Sequence, residues 1–149
     1  MIDTQDMLVR AVDEALETMA FMTLMPIDED MKTPVRTMLA TMHFSGPRSG
    51  SIEILAGVEF AEIVAENIGA MDEVTDAMRC DAMKEVSNVA CGLLIPMIAD
   101  SASDVFDLSV PDVQIDDTGR EWNEFTAQST TVVSNVEGYA VATRLTTNE

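Results

Sequence analysis

Two pairs of alternating segments, each joined by a short turn, constrain most strongly what this chain can fold into. In the first pair, residues 35–44 alternate, with one side formed by Met38, Ala40, Met42 and Phe44. The turn sequence GPRSG then leads into a second segment at residues 51–56. A period of two residues is typical of a strand with one buried face. The sequence therefore predicts an antiparallel hairpin here.

The second pair lies near the end of the chain, where residues 125–134 and 137–145 flank the turn sequence NVEG. The same reasoning predicts a second hairpin. Val113 and Ile115 alternate with polar residues and predict a short strand before it. The intervening sequence DDTGREWNE is rich in turn-forming residues, so we expect a turn there. Trp122, inside that turn, would either cap the core or contact a partner.

Three segments with helical periodicity separate the predicted strands. The first begins near Asp3 or Thr4, and the others span residues 57–68 and about 75–99. Apolar residues of the second helix that we expect to face inward are Val58, Ala61, Val64, Ala65 and Ile68. The resulting order, α-ββ-α-α-β-ββ, predicts an α+β fold with helices layered on an antiparallel sheet. We expect residues 1–149 to form a single domain.

On the third predicted helix, three polar residues form one narrow stripe. Asp81, Glu85 and Asn88 stand at positions i, i+4 and i+7, within about 60° of one another around the helix axis. Gly92 lies on the same stripe and would let the backbone of a partner come close. The apolar residues predicted to face the core on the other side are Ala82, Val86, Val89, Ala90, Leu93 and Met97. Solvated carboxylates are common on helices, so the stripe alone does not define a site.

The charge of the chain argues against several classes of partner. Its 149 residues carry 27 acidic and 8 basic side chains, a net charge of −19. Nucleic acids and anionic membranes both need a basic face, so we expect neither as a partner. The longest apolar run, residues 89–99, is too short to cross a bilayer.

The cysteines and the histidine bear on redox state and metal binding. Cys80 and Cys91 lie on one predicted helix about 16 Å apart, too far for a disulfide. Reduced thiols, and a start (MIDTQD) without a signal-peptide pattern, predict a cytoplasmic location. His43 is the single histidine, and no close Cys/His spacing surrounds it, so we predict no metal bound by this chain.

The polar stripe extends into a longer pattern, because Pro111 follows Asn88 after 22 intervening residues. The pattern Asp81-x3-Glu85-x2-Asn88-x22-Pro111 resembles the signature of the CheC/CheX/FliY family of chemotaxis phosphatases. The chain is most similar to the CheX-like members, because ETMAFM ends the first helix and Gly92 follows the amide. The resemblance implies a CheC/CheX-like layered domain built from pseudo-two-fold α-ββ repeats.

A degenerate copy of the pattern stands 68 residues earlier in the chain. Asp13 and Glu17 repeat the two carboxylates, whereas Ala20 replaces the amide and His43 stands where the second copy has Pro111. In CheX-like proteins only the second copy is a working site, and the resemblance therefore implies that this first copy is vestigial.

The resemblance also implies a function: hydrolysis of the phospho-aspartate of CheY-like receiver domains. Asn88 would position the attacking water, and Glu85 would pair with the receiver's active-site lysine. Asp81 and Gly92 would support docking, and Pro111 would shape the loop beside the helix. This chain would bind no cofactor, whereas Mg²⁺ is expected on the receiver. CheX-like relatives further imply a homodimer that pairs or exchanges C-terminal strands.

Two other functions compete with this interpretation. The same surface could belong to a non-catalytic module that docks on a receiver or a flagellar-switch component, although the intact Asn88 favours an enzyme. A metal-dependent hydrolase with Asp81, Glu85 and Asn88 as ligands is disfavoured, because three residues on one exposed helix face enclose no cavity.

Overall fold

The computed structural model describes residues 3–69 and 73–148, which form four helices and seven strands. The helices are α1 (Thr4–Ala20), α2 (Val58–Ile68), α3 (Asp76–Ile98) and α4 (Arg120–Thr126). The strands are β1 (Leu24–Met25), β2 (Thr37–Ser45), β3 (Ser49–Gly57), β4 (Asp107–Leu108), β5 (Asp112–Asp116), β6 (Val132–Val136) and β7 (Tyr139–Asn148). No helix in the described part of the chain is both long enough and apolar enough to cross a membrane.

All named strands join one antiparallel sheet in the order β1-β6-β7-β3-β2, with β4 and β5 on the outer side of β2. The two predicted hairpins, β2–β3 and β6–β7, are confirmed, and they meet at the centre where β3 pairs with β7. The C-terminal strand is therefore an inner strand. Its neighbour β6 is bordered by β1 only at Asn135 and Val136. The homodimer through C-terminal strands stays a prediction.

The strand order has an internal two-fold symmetry. If α1-β1-β2-β3 is matched with α3-β5-β6-β7, the pair β1–β6 maps onto β5–β2, and the hairpin β2–β3 maps onto β6–β7. The central pair β3–β7 maps onto itself. The predicted α+β fold with pseudo-two-fold repeats is thus confirmed, and each repeat carries one more strand than the α-ββ unit. In the second repeat this strand is β5, which confirms the strand predicted around Val113 and Ile115, whereas β1 of the first repeat was not predicted.

The sheet separates two layers of helices. On one face α1, α2 and α3 cover the main core, in which the predicted stripe of β2, Met38, Ala40, Met42 and Phe44, is buried. On the other face α4 covers a smaller cluster made by Leu55, Trp122, Phe125, Ala140 and Ala142. Successive strand residues point to opposite faces, which is why Ile54 and Leu55 are buried in different clusters.

Local sequence accounts for several boundaries of these elements. Asp3 caps α1, because its side chain accepts a hydrogen bond of 3.1 Å from the backbone N–H of Gln5. Glu137 and Gly138 form the two-residue turn between β6 and β7, and both adopt positive φ angles, 51° and 96°. Turns of this handedness match the twist of a hairpin and favour glycine.

Two expectations about the C-terminal third were wrong. The segment DDTGREWNE contains most of helix α4 instead of a turn, and Phe125 belongs to that helix instead of starting a strand. The turn-forming residues that led to this prediction occupy only positions 116–119. They connect the end of β5 to α4, whose N-cap is Gly119. Trp122 and Phe125 stabilise this short helix by packing on the sheet. Of the two roles considered for Trp122, its burial agrees with the cap over the core.

Candidate functional site on helix α3

Helix α3 is fixed at its N-terminus by a cap and a network of ion pairs. The Thr75 side chain accepts a hydrogen bond from the Met78 N–H, and Arg36 donates to both carboxylate oxygens of Asp76 at 3.1 and 2.7 Å. Arg79 joins Asp76 to Glu62 of α2, at 2.7 Å to each carboxylate. Exposed ion pairs individually contribute little to stability. A bidentate arginine–carboxylate contact such as Arg36–Asp76 nevertheless restrains the relative orientation of the two side chains. The start of α3 is therefore held by the residue that precedes β2 and by α2.

These contacts also determine the ionisation of the network. Hydrogen bonds from Arg36 lower the pKa of Asp76, and the hydrogen bond to Glu62 raises the pKa of Arg79. Both shifts favour the charged forms. The ion pairs that place the N-terminus of α3 consequently persist at neutral pH.

The buried side of α3 is broader than the periodicity alone suggested. Its fully buried side chains are Ala82, Met83, Val86, Ser87, Ala90, Cys91, Leu94 and Ile98. Val89, Leu93 and Met97, which we expected in the core, are only half-buried at its margin. The reason is that α1, α2 and the sheet together cover about half of the helix circumference, whereas the sequence marks only its most apolar sector.

Cys91 lies on the buried side of α3. Its side chain is fully buried in the main core, and this burial raises the pKa of the thiol to about 11. A thiol in that environment stays protonated and unreactive at neutral pH. Cys80, also a free thiol, is half-buried and immediately precedes Asp81, the first residue of the stripe.

The predicted stripe is exposed along its whole length. Asp81, Glu85, Asn88 and Gly92 are all exposed, and they lie at the centre of the uncovered side of α3. Asp81 and Asn88 stand seven residues apart, about 10 Å along the axis. The two carboxylates enter none of the ion pairs found within residues 3–69 and 73–148. An amide and two carboxylates are thus presented together to any partner.

Gly92 leaves this surface flat. A side-chain carbon built at Gly92 would meet nothing within 4 Å. Glycine in a helix interior costs stability relative to alanine, and no described residue packs so closely on Gly92 that a side chain there would be excluded. The glycine is therefore not required by packing within this protein, which agrees with the expectation that it lets the backbone of a partner come close.

Pro111 lies at a break in the edge of the sheet. It is buried in the gap between β4 and β5, which pair with the two ends of β2. Within the gap, the backbone N–H of His43 donates a 2.8 Å hydrogen bond to the Ser109 hydroxyl, and the Ser109 N–H donates a 2.9 Å hydrogen bond to the His43 carbonyl oxygen. Proline has no N–H to leave unsatisfied there. The structure therefore places Pro111 where a role in shaping the backbone is expected.

The first copy of the pattern does not present the same surface. Glu17 is exposed and Asp13 is half-buried, but Ala20 is fully buried. Helix α1 ends at that residue, and Phe21 caps it in the left-handed conformation with φ of 58°. The position equivalent to Asn88 therefore points into the core.

Two neighbours of the stripe were missed by sequence reasoning. Ile68 of α2, expected in the core, is 44% exposed and lines a groove against α3. Lys84 lies on the other margin of the stripe, half-buried, and enters no ion pair within the described residues. No group of three His, Cys, Asp or Glu side chains within that part of the chain could hold a metal ion.

Comparison with solved structures defines the fold. The chain aligns over 99% of its length with all of a chemotaxis protein CheX from Desulfovibrio desulfuricans, with TM-score 0.72 and 16% identity. A putative chemotaxis protein from Desulfovibrio vulgaris Hildenborough aligns over 99% of this chain and 97% of its own, with TM-score 0.72 and 19% identity. CheX in the CheX–CheY–BeF3–Mg complex from Borrelia burgdorferi aligns over 100% of both chains, with TM-score 0.66 and 18% identity. These likenesses establish a CheX-like fold.

The family follows from the sequence itself. Residues 38–132, more than half of the chain, match the model of the family described as chemotaxis phosphatase CheX. The chain therefore belongs to the CheX family, as the residue pattern had suggested. No curated protein matches the chain.

Proposed function

We propose that this protein hydrolyses the phospho-aspartate of a CheY-like receiver domain, with Asn88 positioning the attacking water. The observation that carries the proposal is the exposed stripe of Asp81, Glu85 and Asn88, whose carboxylates enter no ion pair within the described residues, on a helix whose start is held by ion pairs. Exposed side chains in a row along one helix can enter the active site of another protein. Membership of a chemotaxis phosphatase family supports the same reaction.

The reaction requires no covalent bond between the phosphatase and the phosphoryl group. The water oxygen forms a new bond to phosphorus, the bond from phosphorus to the aspartyl oxygen breaks, and the electron pair of that bond stays on the carboxylate. A proton of the water passes to the released phosphate. Asn88 can accept one hydrogen bond from the water and donate another, although an amide is no general base at neutral pH. Positioning of this kind parallels the water-orienting glutamine of GTPases.

The other residues of the stripe would align the two proteins. Glu85 stands one turn before Asn88 on the same face, so a salt bridge from Glu85 to the receiver's active-site lysine would fix the depth and direction of Asn88. Asp81, one turn earlier still, would support docking. Gly92 would allow close approach beyond the amide, and Pro111 would maintain the edge strand beside the site.

The metal ion in this scheme belongs to the partner. The Borrelia burgdorferi relative forms a complex that contains CheY, BeF3 and Mg²⁺, which supports a receiver carrying Mg²⁺ as the partner of this chain. Bound there, Mg²⁺ would neutralise charge on the phosphoryl oxygens. Since receivers of this kind act inside the cell, we also expect a cytoplasmic location.

Phosphate release from a Mg²⁺-loaded CheY-like receiver, phosphorylated with acetyl phosphate, tests the proposal directly. We expect the protein to accelerate release, and we expect Asn88→Ala to abolish that acceleration, a loss of at least about 100-fold if water positioning supplies a few kcal/mol. Glu85→Ala should weaken it through loss of alignment. Full activity of Asn88→Ala would refute the assigned mechanism.

Helix α4 provides matched controls on the opposite face of the sheet. Asn123 and Glu124 are an exposed amide and an exposed carboxylate there, so Asn123→Ala and Glu124→Ala should leave release unchanged. If the wild-type protein binds the phosphorylated receiver without accelerating release, the competing docking-module function is favoured.

A further inference from the structure

A groove opens between α2 and α3 directly beside the stripe. It has a volume of about 350 Å³, and its apolar lining comes from Ala65, Ile68, Met78 and Ala82. Two carboxylates of the stripe, Asp81 and Glu85, form its outer wall. One wall of the groove is therefore the proposed docking surface itself.

Ile68 is the unusual residue of this groove. It follows the apolar spacing of α2 and would be expected to face inward, yet 44% of it is exposed at the last turn of the helix. Covering a large exposed aliphatic side chain with an apolar group of a partner removes apolar surface from water, which favours binding. Among the described residues, Met78 and Ala82 of α3 line the groove with Ile68, and 44% of Ile68 remains exposed beside them.

The charge of the groove restricts its occupant. A second copy of this chain would bring a net charge of −19 against the same charge, and would place further carboxylates near Asp81 and Glu85. A partner that offers an apolar group next to a basic residue would complement both the apolar lining of the groove and the carboxylates of Asp81 and Glu85. Glu85 belongs to both the stripe and the groove. A receiver lysine that pairs with Glu85 would therefore supply the basic residue beside the groove.

We propose that this groove is a second docking site for the same receiver domain, and that it takes an apolar side chain from the receiver surface next to the active-site lysine. The inference rests on the proposed function for the identity of the partner. It adds a contact outside the motif, in which Ile68 contributes to affinity for the receiver. Recognition would then combine an ion pair at Glu85 with apolar burial at Ile68.

Binding measured without turnover separates this proposal from the catalytic one. The probe is a Mg²⁺-loaded CheY-like receiver with beryllofluoride in place of the phosphoryl group, titrated calorimetrically. Covering a half-exposed isoleucine predicts that Ile68→Ser raises the Kd about fivefold to tenfold, whereas Ile68→Leu retains the wild-type Kd. Ile68→Lys should weaken binding further, because it places a cation beside the partner's basic residue.

Ile27 supplies the matched control. It is 64% exposed in the loop after β1, also beside acidic residues, but away from the groove. Ile27→Ser should bind the receiver as the wild type does. An unchanged Kd for Ile68→Ser, or tighter binding by Ile68→Lys, would overturn the groove proposal while phosphate release and its loss in Asn88→Ala still supported the catalytic one.

The remaining outcomes are equally decisive. If the wild type binds and Ile68→Ser weakens binding, but the wild type releases no phosphate, the groove proposal holds and the catalytic one fails. If the wild type does not bind the receiver at all, both fail. Thermal unfolding of each variant excludes misfolding as the cause, and an exposed Ile68 is expected to tolerate replacement.

Discussion

At the residue scale, adjacent positions of α3 have opposite roles. Ser87 is buried, and its hydroxyl donates a 3.0 Å hydrogen bond to the Met83 carbonyl oxygen. Asn88, the next residue, is exposed on the stripe. A helix turns 100° per residue, so a shift of one position would replace the exposed amide by a hydroxyl that is committed to its own backbone.

Lys84 is predicted to support the encounter with the receiver. It is one of only two lysines in the chain, and it stands beside the stripe on the side away from the groove. Because both the net charge of −19 and the phosphoryl group are negative, a cation at this margin reduces the repulsion at close approach. We expect Lys84→Gln to raise KM a few-fold at low salt, an effect that should fade in molar salt, where the Debye length is about 3 Å.

The other lysine makes the test specific. Lys32 lies over the ring of Tyr139, 5.3 Å from its centroid, away from α3. Lys32→Gln changes the net charge by the same amount, so an equal rise in KM for both variants would mean that only the overall charge matters.

At the element scale, α3 combines a fixed N-terminus with a flat outer surface. The Arg36, Asp76, Arg79 and Glu62 network holds its start, and the broad buried side holds its length. What remains free is the stripe, ending at Gly92. An element of this kind can present side chains in a fixed direction without enclosing them.

Replacing Gly92 should separate stability from activity. Because the added carbon would meet no described atom within 4 Å beyond the adjacent helix backbone, Gly92→Ala should raise the free energy of unfolding by about 0.5–1 kcal/mol through helix propensity. The same methyl group would obstruct close approach of the receiver, so phosphate release should fall. Urea unfolding and the release assay measure the two effects on one preparation.

A second glycine gives the contrasting result. A side-chain carbon at Gly50, on the central strand β3, would lie 2.1 Å from the Thr146 carbonyl oxygen of β7. Gly50→Ala is therefore expected to lower stability strongly. If Gly92→Ala gained stability and also kept full activity, the role of Gly92 in docking would be wrong.

At the scale of the whole molecule, a pseudo-two-fold fold carries the pattern twice and exposes it once. The two halves contribute equivalent strands to one sheet. In the first half, however, α1 ends at the position of the amide and buries Ala20. The asymmetry of the sites thus arises from where each helix ends, although the halves share a topology.

The closed core predicts how stability depends on alkaline pH. Burial raises the pKa of the Cys91 thiol from 9.0 to about 11, so the folded protein holds a proton that the unfolded chain releases. Stability from this group is fully present below pH 9 and decreases as the pH rises towards about 11. Urea unfolding from pH 8 to 11 should reveal a steeper decline for the wild type than for Cys91→Ala. Equal slopes would contradict the assignment.

The sequence by itself determined both hairpins, the three long helices and the stripe of Asp81, Glu85 and Asn88, because each depends on periodicity within one element. Only the tertiary structure decided which sectors of those elements are covered. The order of the strands, the burial of Cys91 and Trp122, and the exposure of Ile68 depend on neighbours distant in the chain. Periodicity marks which side of an element is apolar, whereas packing against other elements decides how much of that side leaves water and which part remains for a partner.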